Sequence, residues 1–190
     1  MTKKKEPKRK DKIESFIEAF ENRKRYPTLT VEILKQIPDA KLEMAILDFI
    51  ECKAQREGVL ERDVIKTLSP GFLAIYTTCW VGIEVFNGGF NQYFWNSSGD
   101  FAADAVAGFD LIGTPALARL MERAIAINKE DQDKLKKFKN PRTLEAFSES
   151  YKGNRLNDLD GEFYVQMKEL SKARIKFIRA NPHLFVGKCN

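Results

Sequence analysis

From Pro70 to Phe86 the chain carries one charge, Glu84, and this stretch constrains the fold more than any other feature of the sequence. Phe72, Ile75, Tyr76, Cys79, Trp80, Ile83 and Phe86 recur at the spacing of a single helix face. The opposite face, Ala74, Thr77, Thr78, Val81 and Val85, is uncharged as well. A helix that is apolar all round needs neighbours on every side. Residues 70–86 are therefore expected to form a buried central helix, opened by Ser69 as N-cap and Pro70 at the first helical position.

The flanking sequence reads as a set of helices able to cover it. Ile13, Phe16, Ile17 and Phe20 form an amphipathic stripe that ends before Pro27. A short helix is expected over 31–36. Another starts at Pro38-Asp39, with Leu42, Ile46, Phe49 and Ile50 on one face and Gly58 past its end. Ala102, Ala105, Val106 and Phe109 precede Gly113, with Asp100 placed to cap their helix. Thr114-Pro115 opens a stripe of Leu117, Leu120, Met121 and Ala124. Leu135 and Phe138 sit on a charged helix broken by Pro141, and Leu144 and Phe147 on a short segment closed by Gly153. A last long helix is expected from Gly161 to Ala180, stopping at Asn181-Pro182. No period-2 run of β-branched residues interrupts this pattern, so the expected fold is all-α: a single globular multi-helix domain over residues 13–190.

The net charge of +5 sits entirely in residues 1–12, where Lys3, Lys4, Lys5, Lys8, Arg9, Lys10 and Lys12 face only Glu6 and Asp11. The remaining body is neutral. A charged end with no apolar residues is expected to be a disordered, solvated tail, with weak contact to nucleic acid as the functional alternative. No apolar stretch is long enough for a membrane span, and a soluble, cytoplasmic protein is expected. Cys52, Cys79 and Cys189, odd in number and widely spaced, read as reduced thiols rather than a disulfide framework.

After the central helix, Asn87-Gly88-Gly89 reads as a helix break, since glycine reaches conformations other residues avoid. Phe90, Tyr93 and Phe94 then fit one further helical turn directed back onto the central helix, and Asn96, Ser97, Ser98 and Gly99 supply another break. Glu84 through Gly99 resembles the E-x-x-N-G-G-F-x-Q-Y-F-x-N-S-S-G signature of a bacterial domain family typified by DNA mimic protein 19. A second block is also similar to that family: Leu159-Asp160, Phe163-Tyr164, and Asn181-Pro182 with Phe185. The resemblance covers about residues 65–187. It implies a helical fold and a non-catalytic, macromolecule-binding role, in which surface carboxylates imitate DNA phosphates. This chain departs from that charge pattern. Between residues 67 and 118 there is no Lys or Arg, but only Glu84, Asp100, Asp104 and Asp110 supply negative charge.

The candidate binding residues are accordingly Glu84, Asn87, Gln92, Asn96, Ser97, Asp100 and Asp104. Gly88, Gly89, Phe90, Tyr93, Phe94 and Gly99 form the structural part of the signature. Gln92 and Asn96 are the leading candidates for partner contact. The competing reading is structural, since Asn and Ser at helix breaks satisfy orphan backbone groups. An enzyme using a polar pocket at Glu84–Asn96 is the other alternative, but His183, the single histidine, has no nucleophile or metal-ligand companion at suitable spacing. No cofactor, metal or catalytic residue is expected, and the partner is expected to be a protein. Glu84, a carboxylate on a buried helix, needs polar partners. Arg174, within the apolar stripe of the last helix, is expected either to reach a buried carboxylate, Glu84 being the first candidate, or to snorkel to solvent along its aliphatic stem.

Overall fold

The computed structural model describes residues 9–141 and 143–189, with side chains from Glu14 onward apart from Phe16. Residues 1–8, and the side chains of Ile13 and Phe16, lie outside the described residues. The chain runs α1 (Arg9–Glu21), β1 (Thr28–Leu29), α2 (Val31–Gln36), α3 (Asp39–Glu57), α4 (Glu61–Val64), α5 (Pro70–Trp95), α6 (Ala102–Leu111), α7 (Pro115–Glu130), α8 (Gln132–Lys139), α9 (Leu144–Glu149), α10 (Asn157–Gln166), α11 (Leu170–Ala180) and β2 (Gly187–Lys188). The architecture is all-α apart from an antiparallel β1–β2 bridge that pairs Thr28 with Lys188 and Leu29 with Gly187. Helix α1 already begins at Arg9, so residues 9–12 of the expected tail are helical.

Helix α5 is the centre of the fold, as its composition requires. Helices α3, α6 and α10 pack against it, and α7 packs on α6 and α10. Gly108 of α6 lets the two helices approach closely: a Cβ there would lie 3.1 Å from Thr77 Oγ1. Thr77 and Thr78, buried on α5, donate to Leu73 O and Ala74 O of the preceding turn at 2.9 and 2.7 Å, which makes a hydroxyl tolerable in an apolar interface. At the other end Phe72 stacks on Phe49 of α3 and meets Phe185 edge-on.

Four expectations are corrected by the packing. The expected last helix, 161–180, is two helices joined by a 3-10 turn at Met167–Glu169, because α10 packs on α5 and α7 while α11 packs on α3. Arg174 pairs with Glu43 of α3, not with Glu84, and also donates to Thr78 O at 3.3 Å. Ser69 and Thr114 occupy N-cap positions, yet their hydroxyls donate to Leu184 O and Phe109 O instead of capping. Asp100 lies in a 3-10 turn and pairs with Arg62 at 2.8 Å rather than capping α6.

The cysteines are also corrected. Cys52 on α3 and Cys189 beside β2 form a disulfide, with Cα atoms 5.8 Å apart. The β1–β2 bridge and the Cys189 N–H bond to Pro27 O, 2.9 Å, carry the end of the chain back to α3. An odd cysteine count leaves room for one pair, and the spare is Cys79. It is buried on α5, and burial pushes its thiol pKa up to about 12.

Residues 70–86 are not covered along their whole length. Ile83 is 43% exposed and Phe86 68%, so one face of the last turns before the Asn-Gly-Gly break is left open while Glu84 and Val85 beside it are buried.

Candidate functional site

The backbone of α5 bends where the sequence places its glycines. Gly88 is extended (φ −160°, ψ 31°), and Gly89 lies at φ 69°, ψ −177°, a region open only to glycine. The bend frees backbone groups, and the second sequence block supplies their partners. Asp160 of α10 accepts from Phe90 N at 2.9 Å and so caps the helical turn after the break from outside. Tyr164 donates to Val85 O at 2.9 Å, and Tyr151 to Gly88 O at 2.7 Å. The Phe90 and Phe163 rings meet edge-on at 5.6 Å. Phe90, Tyr93 and Phe94 are all buried in the core, where the Phe90 ring also meets α10.

Asp160 tests this arrangement through pH. Burial raises its pKa, and the hydrogen bond from Phe90 lowers it less. A raised folded-state pKa means a stability contribution that is present below the ordinary carboxylate range and lost as pH rises through the folded value. Asp160→Asn keeps an acceptor and removes the ionisation. Its stability relative to wild type should therefore improve between acid and neutral pH. Asp160→Ala removes the ionisation too but loses the cap, and should be about 1 kcal/mol less stable than Asp160→Asn at either pH. Melting curves of the three proteins at two pH values make the comparison, and an Asn variant that gains nothing on wild type from acid to neutral pH would contradict it.

Glu84 is buried and accepts three hydrogen bonds, all from the same motif. Gln92 Nε2 and Asn96 Nδ2 reach Oε2 at 2.7 and 2.9 Å, and Ser98 Oγ reaches Oε1 at 3.0 Å. The signature thus closes on itself: the residues after the bend return to satisfy the carboxylate before it. Glu84→Ala should cost about 2 kcal/mol, since three donors lose a partly buried acceptor. Gln92→Ala and Asn96→Ala should each cost about 1 kcal/mol, and neither should add to Glu84→Ala. Urea unfolding of the single and double variants measures that coupling; full additivity would contradict a shared network.

The other expected residues scatter. Asn87 and Ser97 are exposed, Asp104 is half-buried, and Asp100 is held by Arg62. Gly99 fits closely: a Cβ there would lie 2.9 Å from Phe94 Cα. Glu84 borders a cavity of about 320 Å³ whose walls include Tyr76, Trp80 and Phe101, with Arg62 at one side. Tyr76 faces Glu61 there, and burial, with the Glu61 carboxylate adding to it, pushes the phenol up to about 12. On the far bank of Asn96 a larger open groove, about 980 Å³, runs past Gln92, Trp95 and Ser97 toward α8 and α9. Among the described residues no group of His, Cys, Asp or Glu could hold a metal ion, and no helix is long and apolar enough to cross a membrane.

Sequence reasoning missed a buried amide network beside the bend. Asn91 Nδ2 donates to Ser150 Oγ at 2.8 Å, and Asn154 Nδ2 donates to Asn91 Oδ1 at 2.7 Å. Asn91 occupies a variable place in the signature, so only its position, one residue before Gln92 on a short helix, hinted at an inward side chain.

No curated protein and no solved structure matches the chain. The family model described as DMP19-like protein matches residues 66–181, from the turn before α5 to the end of α11. That span is well over half the chain and contains both halves of the locked bend, and the protein belongs to the DMP19-like family.

Proposed function

We propose that this protein is a non-catalytic, regulatory module that acts by binding another protein. The observation that carries the reading is the open apolar face near the end of the central stretch, residues 83–86. Ile83 and Phe86 are exposed one turn apart, and the Tyr164 bond to Val85 O brings exposed Tyr164, followed by Val165 at 69% exposure, to the same end. Clustered exposed apolar side chains on an otherwise well-buried helix are characteristic of protein interfaces. Imitation of a phosphate array has little to rest on here. Of the four carboxylates in the Lys- and Arg-free stretch, Glu84 is buried in its own motif and Asp100 is paired with Arg62. Use of Glu84 in catalysis competes with its structural bonds to Gln92, Asn96 and Ser98. A cytoplasmic setting remains part of this reading, and the Cys52–Cys189 bond is the feature that argues against it.

The test is affinity capture from the native host with three proteins: wild type, Phe86→Asp, and a chain lacking residues 1–12. Phe86→Asp should lose at least about tenfold of a recovered protein partner, as expected for an interface anchor. The shortened chain should retain it. Loss on shortening together with nuclease sensitivity would instead establish the nucleic-acid reading of the tail.

A further inference from the structure

The larger groove lies apart from the Phe86 end, and its chemistry is specific. Its floor is apolar: Trp95 and Phe147 meet edge-on at 5.0 Å, and Leu144 beside them is 80% exposed. One bank is formed by Gln92 and Asn96. A carboxylate only accepts hydrogen bonds, so the Asn96 amide nitrogen faces Glu84 and its carbonyl oxygen is what it has left for the groove, whereas the Gln92 carbonyl lies against Gly88. The other bank carries Lys139, whose ammonium donates to Phe94 O at 2.6 Å and forms no ion pair among the described residues. Desolvation lowers the Lys139 pKa, against the opposing field of Asp100, which is already paired with Arg62. Among the described residues no Asp or Glu lines the groove. The same helix, α8, adds Lys136 one turn earlier, paired only with exposed Asp133.

A fixed acceptor at Asn96 on one side, a cation without a carboxylate on the other and an apolar floor between them suit one kind of occupant. An extended peptide offers a backbone N–H to the Asn96 oxygen, a bulky side chain to the floor and a carboxylate to the lysines. A nucleic-acid strand fits less well. Its phosphates carry no N–H to give Asn96, and Lys139 and Lys136 together neutralise little of a phosphodiester backbone.

We propose that this groove is a second binding site, separate from the Phe86 surface, for an extended acidic peptide segment of a partner protein. It seats a large apolar side chain on Trp95, Phe147 and Leu144 and flanking carboxylates against Lys139 and Lys136.

The full-length protein can be titrated with four labelled probes of equal length: a peptide alternating Glu and Leu, its Glu-Ser and Lys-Leu counterparts, and an oligothymidylate. The Glu-Leu peptide should bind saturably and more tightly than the other three, and more weakly as salt is raised. Leu144→Asp and Lys136→Glu change exposed side chains and leave the core intact. Each should weaken binding about tenfold or more, while Phe86→Asp should not alter it. Tighter binding of the oligothymidylate, absence of saturable Glu-Leu binding, or indifference to Leu144→Asp would overturn the proposal without touching the Phe86 reading.

Discussion

Gly89→Ala should lower stability by about 3–4 kcal/mol, which in a chain of this size moves the melting temperature by roughly 10 °C. Two causes add. The Gly89 dihedrals, φ 69° with ψ −177°, strain any residue that has a side chain. A Cβ there would also overlap the Asp160 carboxylate, displacing the acceptor that caps Phe90 N. Gly88→Ala is the informative comparison, because its backbone is extended and unstrained. A Cβ at 88 would meet the ends of the Gln92 and Tyr151 side chains, the Tyr151 hydroxyl at 2.7 Å. Both can give way, so about 1–2 kcal/mol is expected. Thermal or urea unfolding ranks the two. Equal effects at the two glycines would mean that the bend is not held as described.

Opening the Cys52–Cys189 disulfide should have a comparable or larger effect. The bond joins residues 137 apart, and cross-linking so long a loop removes unfolded-state entropy worth about 4–5 kcal/mol in the chain-entropy account. Reduction, or Cys52→Ser, should therefore lower the melting temperature by roughly 10–15 °C. Cys79→Ser lies outside the cross-link and should not reproduce that loss. Thiol titration supplies the second readout: the oxidised, folded protein should show no reactive thiol, and one on unfolding, because Cys79 is buried. Identical melting curves with and without reductant would remove the disulfide from the stability of the fold.

The helical fold was legible because its signal is periodic and local. The apolar stripe of 70–86, the Gly58 terminus of α3 and the Pro115 start of α7 follow from helix spacing and from which residues start or stop a helix. What was not legible depends on tertiary neighbours. The split between α10 and α11 follows from each packing on a different helix, which the apolar pattern of 161–180 does not encode. Arg174 had two carboxylates it could serve, and only the placement of α3 selects Glu43. The disulfide needed the β1–β2 bridge, too short to leave a sequence pattern. At the signature, residue types alone foretold a break and buried aromatics, and Glu84 was correctly expected to need polar partners. That those partners would be Gln92, Asn96 and Ser98, and that the second block would lock the bend, required the three-dimensional path.

That locked bend has a consequence for the order in which the protein assembles. The Glu84 clasp closes over sequence separations of 8, 12 and 14 residues, short loops that cost little entropy and form early. The bonds that satisfy the bend itself span 63, 70 and 79 residues. A chain emerging from its N-terminus can complete the clasp once Ser98 is available. The backbone groups freed at Gly88 and Gly89 meanwhile stay on water until Tyr151, Asp160 and Tyr164 arrive. The signature thus joins a local clasp to a long-range lock, and variants of Asp160 or Tyr164, whose contacts form late, should speed unfolding while leaving the folding rate nearly unchanged.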